Sequence, residues 1–194
     1  MSQTSITPGG QRVGDAGDPA DAGPKDSLSG FNADAAQMPF GYGVSVNENT
    51  GDKYSLPTGM TNAYPVAGVF LRRANYQPRI SLPNGQTVGD LGASGVHQYA
   101  PLNVGIKGRW LVPVEAAVTR NQRAWCRGVA TGSVTQGSWR GAAVGAVPLG
   151  GSVALGASYF IDCTKQGVFR TASYTAADGS TLVAVLEVDF TTGV

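Results

Sequence analysis

One stretch near the middle of the chain, Leu102–Glu115, constrains the fold more strongly than any other part of the sequence. Within it, every second residue is apolar or glycine: Val104, Ile106, Gly108, Trp110, Val112 and Val114. Alternation with a period of two over this length predicts a β-strand with one buried and one solvated face. Gly105 and Gly108 predict a bulge in this strand, or a place where another backbone comes close. Pro113 cannot donate to a sheet ladder, so the strand should reach a sheet edge or leave the sheet there.

The composition favours strands and turns over helices. Of the 194 residues only 14% are charged, while 28 are glycine and 11 are proline. A chain of this length suits a single domain with a substantial core, and its glycine and proline content is typical of short strands joined by turns. No apolar run approaches the roughly 20 residues that span a bilayer, and the N-terminus lacks the apolar segment of a signal peptide. We therefore expect an all-β domain outside the membrane.

Several further segments have strand-like patterns. The predicted strands are Gly41–Val46, Val66–Leu71, Trp125–Thr131, Ser158–Asp162, Val168–Tyr174 and Leu182–Phe190. In the last of these, alternate residues from Leu182 should face the core, with Glu187 and Asp189 on the opposite side. Residues 74–100 predict a long loop with one hairpin at Asn84-Gly85. Residues 114–124 also have apolar side chains at helical spacing, but a turn is the favoured interpretation because Asn121-Gln122 lies between β-type segments.

The first thirty residues differ from the rest of the chain. They contain almost no large apolar side chains and cannot form a core of their own. We expect an extended N-terminal arm over residues 1–30, ordered only against another surface, followed by a β-domain over residues 31–194. Seven acids and two bases give residues 1–52 a net charge of −5, whereas twelve bases and three acids give residues 53–170 a net charge of +9. Such asymmetry within one chain indicates charged contacts with partners.

No arrangement of residues predicts catalysis. His97 is the only histidine, and it lies in a Gly/Ser-rich loop without a nearby nucleophile, so an ordinary surface position is the favoured interpretation. Asp162, Glu187 and Asp189 could supply two carboxylates for glycoside chemistry, but acids on the solvated face of strands are ordinarily solubilising. Gly41-Tyr42-Gly43 lacks the third glycine and the helix of a dinucleotide site. We expect a protein that is not an enzyme.

The candidate metal ligands are isolated as well. Cys126 and Cys163 lie in strand-like surroundings, where buried free thiols acting as small apolar side chains are expected. The acids of the arm are Asp15, Asp18, Asp21 and Asp26. Their spacing does not follow the alternating ligand positions of a calcium loop, which favours a solvated acidic arm. We therefore predict no catalytic, cofactor-binding or metal-binding residues.

The basic residues raise the question of nucleic-acid binding. They are Arg72, Arg73, Arg79, Lys107, Arg109, Arg120, Arg123, Arg127, Arg140, Lys165 and Arg170. Because they are dispersed along the chain rather than clustered in one segment, specific nucleic-acid binding is disfavoured. Contact with an acidic protein surface is the stronger interpretation.

Two segments carry a resemblance to a known family. Ala22–Gly30, followed by Met38–Val44, resembles the opening of tailed-bacteriophage capsid decoration (cement) proteins, where an arm runs into a first strand. Gly105–Val114, with Ala116–Val118 after it, resembles the central strand of these proteins and the turn that follows. The order of the parts is similar from about residue 8 to residue 190. The tryptophan-rich middle departs from the family pattern at Trp110, Trp125 and Trp139.

The resemblance implies a small β-barrel or jelly-roll-like sandwich with an extended N-terminal arm. It also implies a structural virion protein that is assembled in the host cytoplasm and forms dimers or trimers on the exterior of the head shell. Its partner would be the major capsid protein, which it would bind to stabilise the shell against internal pressure. No cofactor, no specific nucleic acid and no membrane is expected among its partners.

A second class of function is open to this sequence. A tail-associated module of a phage particle could recognise a receptor or a carbohydrate through exposed aromatic side chains, such as Trp139 and Tyr99.

Overall fold

The computed structural model is all-β wherever it describes the chain, as predicted. It describes residues 16–35, 37–46, 51–57, 66–72, 80–81, 87–88, 95–96, 98–130, 136–141, 153–155, 158–176 and 180–191. The strands in these ranges are β1 (Asp26–Asn32), β2 (Met38–Pro39), β3 (Gly43–Val46), β4 (Lys53–Ser55), β5 (Val66–Leu71), β6 (Ile80–Ser81), β7 (Thr87–Val88), β8 (Gly95–Val96), β9 (Pro101–Pro113), β10 (Ala124–Arg127), β11 (Trp139–Gly141), β12 (Val153–Leu155), β13 (Ser158–Asp162), β14 (Gly167–Phe169), β15 (Tyr174–Thr175) and β16 (Leu182–Asp189). None of the described segments is a helix long and apolar enough to cross a membrane.

Five strands close into a small barrel. β1 pairs with β4 in parallel and with β9 in antiparallel orientation, and β3 and β5 complete the ring in the order β1-β4-β3-β5-β9. Closure removes the sheet edges, so even short strands are paired on both sides around one core. The buried side chains of this core are Met38, Phe40, Val44, Tyr54, Leu56, Phe70, Val96, Leu102 and Val104. The small barrel that the family resemblance implied is therefore confirmed.

The second half of β9 leaves the barrel and enters an open sheet. Residues 107–113 pair with β16, which in turn pairs with β14 and β15. A second sheet, in the order β11-β10-β13-β12, contributes side chains to the same core as β9 and β16. In β16, Leu186 and Val188 are buried while Glu187 and Asp189 are partly exposed. The predicted facing of the last strand is confirmed.

β9 bends between its two halves, and two glycines permit the bend. A Cβ at Gly105 would lie 2.6 Å from Cε2 of Trp110, so the indole rests on the Gly105 backbone. In a straight strand, residues five apart are separated by about 16 Å, which is beyond the reach of an indole. Gly108, between them, has a φ of 123°, a conformation that L side chains rarely adopt. The pairing with β1 shifts register here, from Asp26 opposite Lys107 to Ser27 opposite Gly105, so the irregularity predicted at these glycines is confirmed.

The regions between the strands agree with the turn predictions where they are described. Pro113 is the last residue of β9, as its missing donor predicts. Residues 114–123 form no helix, and Asn121 has the positive φ of 69° that suits a turn. Ile80 pairs with Val88, so the predicted hairpin is present, although its Asn84-Gly85 turn lies outside the described residues.

The second half of the predicted N-terminal arm lies along the chain's own sheet. The N–H of Gly17 donates to the Leu111 carbonyl at 2.7 Å, and the N–H of Leu111 donates to the Asp18 carbonyl at 2.9 Å. β1 then pairs with the first half of β9. This part is therefore ordered against the same chain rather than only against another molecule, because backbone hydrogen bonds to a strand require no apolar side chains. Residues 1–15 lie outside the described residues, and the division of the chain at residue 30 stays a prediction.

Candidate assembly surfaces

The carboxylates considered above as a catalytic pair take part in ion pairs and turns. Glu187 Oε1 lies 2.7 Å from Arg170 Nη2, and Asp189 Oδ2 lies 3.5 Å from Lys107 Nζ. Asp162 Oδ1 accepts a hydrogen bond from the backbone N–H two residues later, at 2.8 Å. Among the described residues, no three potential metal ligands come together. The geometry gives each of the three acids a structural partner, and His97 lies outside the described ranges.

Both cysteines are buried in the core as free thiols, as predicted. Burial raises the pKa of the Cys126 thiol well above its ordinary value and raises the pKa of the Cys163 thiol as well. A thiol in such surroundings stays protonated and behaves as a small apolar side chain.

One of the two aromatic side chains proposed for carbohydrate recognition is not at the surface. Trp139 is fully buried, and its Nε1–H donates to the carbonyl of Gly41 at 2.9 Å. The prediction of an exposed Trp139 is therefore wrong. β11 turns this ring into the core beside Cys126, and a three-residue strand is too short to show its buried face in the sequence. Tyr99, in contrast, is 71% exposed.

Tyr99 stands on a turn whose backbone is held by hydrogen bonds. Its φ is 61°, a left-handed conformation that costs a non-glycine residue roughly 1–2 kcal/mol. The N–H of Tyr99 donates to the Asn32 carbonyl at 2.7 Å, and the N–H of Asn32 donates to the Ala100 carbonyl at 3.1 Å. The buried Asn32 side chain also donates to the Val96 carbonyl at 3.1 Å. These bonds offset the strain and hold the turn that carries the exposed ring.

Two apolar side chains of β1 are exposed as well. Phe31 and Leu28, both on β1, are 46% and 47% exposed. Phe31 lies opposite Pro101 in the pairing of β1 with β9, and Pro101 is exposed too. Since Tyr99 bonds to the residue that follows Phe31, Tyr99, Phe31 and Pro101 lie at one end of the barrel, which we call the aromatic end. Exposed apolar groups on a fixed backbone are typical of protein contact surfaces.

A charged cleft lies beyond the barrel, at the second half of β9. Its volume is about 500 Å³, and it lies between the turn at residues 21–24, β9, the turn before β14, and the end of β16. A second hollow of about 330 Å³ adjoins it and shares Asp21, Arg109 and Arg170. We refer to the two together as the charged cleft. Its charged residues are the cations Lys107, Arg109, Arg120, Arg123, Lys165 and Arg170 and the acids Asp21, Glu187 and Asp189.

The strand register explains how part of the cleft forms. In the pairing of β9 with β16, Arg109 lies opposite Glu187 and Lys107 lies opposite Asp189, and opposite charges that face each other across strands attract. Arg109 also lies 3.1 Å from Asp21 of the N-terminal segment. Hydrogen bonds from Arg170 and Arg109 lower the pKa of Glu187 to about 2, so this carboxylate is ionised at neutral pH.

Three cations of the cleft make no ion pair with any described carboxylate: Arg120, Arg123 and Lys165. All three are exposed. Arg123 Nη1 donates to the Thr164 carbonyl at 3.2 Å, which places its guanidinium beside the turn that carries Lys165. With six cations and three carboxylates, the cleft has a net positive charge.

The basic residues that look dispersed in the sequence are partly gathered by the fold. The alternation that places Lys107 and Arg109 on one face of β9 was a usable signal for two of them, and Glu187 and Asp189 show the same spacing in the last strand. The approach of Lys165 depends on the pairing of β14 with β16, which no local pattern predicts.

Surfaces of this kind are typical of a structural protein that functions by contact with other proteins. The family model for the phage structural cement protein (E217 gp24/Pam3 gp6) matches residues 3–193. Because this match covers nearly the whole sequence, the chain belongs to the phage structural cement protein family. It is therefore a structural protein of a phage virion, and the resemblance seen in the sequence is confirmed.

A comparison with solved structures finds a protein chain with a similar fold. A chain of the structure described as "The capsid of Myoviridae Phage XM1" is similar with a TM-score of 0.56. The similarity covers 90% of this chain and 89% of that chain, at 14% sequence identity. No curated protein matches this sequence.

Proposed function

We propose that this protein cements the exterior of a bacteriophage head shell by binding the major capsid protein, and that it performs no catalysis. The family match from residue 3 to residue 193 carries the proposal. A cement protein bridges neighbouring capsid subunits, so its effect is the sum of many modest contacts repeated over the shell. Each copy therefore needs only moderate affinity.

The two surfaces support such a role in different ways. At the aromatic end, the turn of Tyr99 is already held by hydrogen bonds to Asn32, so the backbone that carries the ring loses little conformational entropy on binding. The charged cleft adds an electrostatic contribution that accelerates the encounter with an acidic surface and weakens as salt is added.

We assign self-association, as a dimer or a trimer, to the N-terminal arm. Residues 17–18 and β1 bond to β9 of the same chain, so residues 1–15 are the part of the arm that we assign to the contact with a neighbouring copy. The acidic residues 1–52 and the basic residues 53–170 would attract two copies to each other as whole molecules. Deletion of residues 1–15 leaves Gly17 and Asp18, which bond to β9, in place. The shortened chain should stay folded and shift towards monomer in analytical ultracentrifugation. Unchanged oligomerisation would refute this role for the arm.

A receptor-binding or carbohydrate-binding module of the phage particle is the second candidate. The exposed ring of Tyr99 favours it, since sugars stack on aromatic faces. The burial of Trp139 removes the other ring on which it relied. A glycan array should show no sugar binding by a cement protein.

The test of the proposed function uses virions that lack this protein. Such particles should assemble but release their DNA at a lower temperature, or on osmotic shock, than complete particles. Addition of the purified protein should restore their stability, less effectively at high salt because exposed charge pairs are screened. Particles that are equally stable without the protein but fail to adsorb to host cells would favour the receptor-binding candidate instead.

A further inference from the structure

We propose that the charged cleft is a carboxylate-binding site that receives an acidic segment of the major capsid protein, with Arg123 and Lys165 as its principal contacts. The inference rests on the proposed function for the identity of the partner. The chemical class of the ligand, a peptide with closely spaced Asp or Glu side chains, rests on the cleft itself.

The first argument concerns two cations of the cleft that make no ion pair. Arg123 and Lys165 are exposed and make no ion pair with a described carboxylate. The hydrogen bond from Arg123 to the Thr164 carbonyl leaves the remaining guanidinium N–H groups for a ligand and orients them. A planar guanidinium held in this way matches the two oxygens of a carboxylate.

The second argument is that the cleft already binds carboxylates of this chain. Arg109 contacts both Asp21 and Glu187, and Glu187 is shared with Arg170. Hydrogen bonds from Arg170 and Arg109 lower the pKa of Glu187 to about 2, so this carboxylate is held in its ionised form. These contacts occupy one wall of the cleft and leave the side of Arg123 and Lys165 open to an incoming acidic side chain.

The third argument distinguishes an acidic peptide from a nucleic acid. The lining of the cleft includes the acids Asp21, Glu187 and Asp189 as well as the bases, and these acids would repel a phosphate backbone laid along the whole cleft. A concave volume of about 500 Å³ fits a few side chains rather than a duplex. A short acidic peptide has to reach only Arg123 and Lys165, with which these acids make no ion pair.

The test compares two lysines that are both exposed and without an ion pair to a described acid. Lys165→Glu changes the cleft, and Lys53→Glu makes the same charge change on β4, in the barrel. Binding of the full-length protein to head shells that lack it, and of a fluorescent hexaglutamate peptide to the free protein, is measured at low salt. Lys165→Glu should weaken the binding of shells and the binding of hexaglutamate about tenfold each. The double variant Arg123→Glu/Lys165→Glu should weaken both interactions further, and Lys53→Glu should leave both unchanged. All variants should keep the melting temperature of the wild type.

The peptide-binding assay and the shell-binding assay test the two proposals independently. If hexaglutamate binding is lost in Lys165→Glu but the wild type does not bind shells, the cleft is a carboxylate site and the proposed cement function fails. If the wild type binds shells and Lys165→Glu binds them equally well, the function stands and the cleft inference is overturned. A duplex DNA oligonucleotide that binds the cleft more tightly than hexaglutamate, at equal concentration of charge, would also overturn it in favour of nucleic acid.

Discussion

The indole of Trp110 rests directly on the backbone of Gly105, five residues earlier in the same strand. A Cβ at Gly105 would lie 2.6 Å from Cε2 and 2.7 Å from Nε1 of this ring, well inside van der Waals contact. The ring is 4% exposed and belongs to the core shared by β9 and β16. The bend of β9 therefore depends on the absence of a side chain at residue 105.

Gly105→Ala should destabilise the protein by about 1–3 kcal/mol, because the added methyl group forces the ring or the strand to move. Chemical denaturation monitored by tryptophan fluorescence would measure this loss. The same substitution in a Trp110→Ala background should cost much less, since the clash is gone. Additive effects of the two changes would show that the ring and the glycine are not in contact.

Trp110→Ala should lower the free energy of unfolding by roughly 3–5 kcal/mol, the usual cost of truncating a large buried ring. Lys107→Ala, three residues away on the exposed face, removes only an ion pair with Asp189 in which both side chains are more than 40% exposed. Its cost should stay below about 1 kcal/mol. Thermal melts of the two variants would check the facing of β9, and equal small shifts would contradict it.

Replacing one partner of the buried Glu115–Arg127 ion pair should strongly destabilise the protein. Both side chains are 5% exposed, Arg127 Nη2 lies 2.7 Å from Glu115 Oε2, and the Ser138 hydroxyl donates to Glu115 Oε1 at 2.6 Å. Arg127→Met leaves a buried carboxylate without its cation, which should cost about 3–5 kcal/mol. The double variant Glu115→Leu/Arg127→Met should recover most of this loss in urea denaturation. A double variant as unstable as the sum of the single changes would refute the pairing.

The stability of the folded protein at low pH should depend on the ionisation of Glu187. Its folded-state pKa is lowered from 4.5 to about 2 by Arg170 and Arg109, so the ionised form stabilises the folded protein above pH 4.5 and this contribution is lost as the pH falls towards 2. Glu187→Gln should therefore melt below the wild type at pH 7, and the difference should shrink between pH 4.5 and pH 2. Because Glu187 is 31% exposed, 1 M salt should also reduce the difference. A difference that is constant over this pH range would contradict the ion pairs.

Tyr99→Gly should be more stable than Tyr99→Ala by about 1 kcal/mol, since a φ of 61° strains alanine but not glycine. Both variants lack the exposed ring, so under the proposed function both should bind head shells more weakly than the wild type and to the same extent. Differential scanning calorimetry and shell binding would separate the two effects. An alanine variant at least as stable as the glycine variant would contradict the strained turn.

The parts of the fold that could be predicted from the sequence are those where one face of a strand is buried over a long stretch. β9 and β16 follow this rule, since their alternation reflects the cores on which they pack. β1 (Asp26–Asn32) was missed as part of the sheet because its first four residues are exposed on both faces and its place is set by backbone hydrogen bonds to β9. The pattern of apolar and polar side chains does not predict such backbone hydrogen bonds.

The candidate surfaces could be predicted only in part for a related reason. The charge asymmetry indicated a basic contact surface, and the alternation in β9 placed Lys107 and Arg109 together. Whether Trp139 or Tyr99 is exposed depends on how short segments are held: Trp139 by a bond to Gly41, Tyr99 by a bond to Asn32. Both bonds join residues more than sixty positions apart, so no local window of sequence contains them.

Because β9 runs through the barrel and into the open sheet, continuous backbone joins Pro101 at the aromatic end to Lys107 and Arg109 in the charged cleft. Tension applied between these two places is carried along covalent bonds instead of across an interface between two bodies. The hydrogen bonds from β1, β5 and β16 lie across that direction, so a pull along β9 loads them in shear and many must break at once. A molecule that is bound at both places therefore resists separation of its barrel from its open sheet.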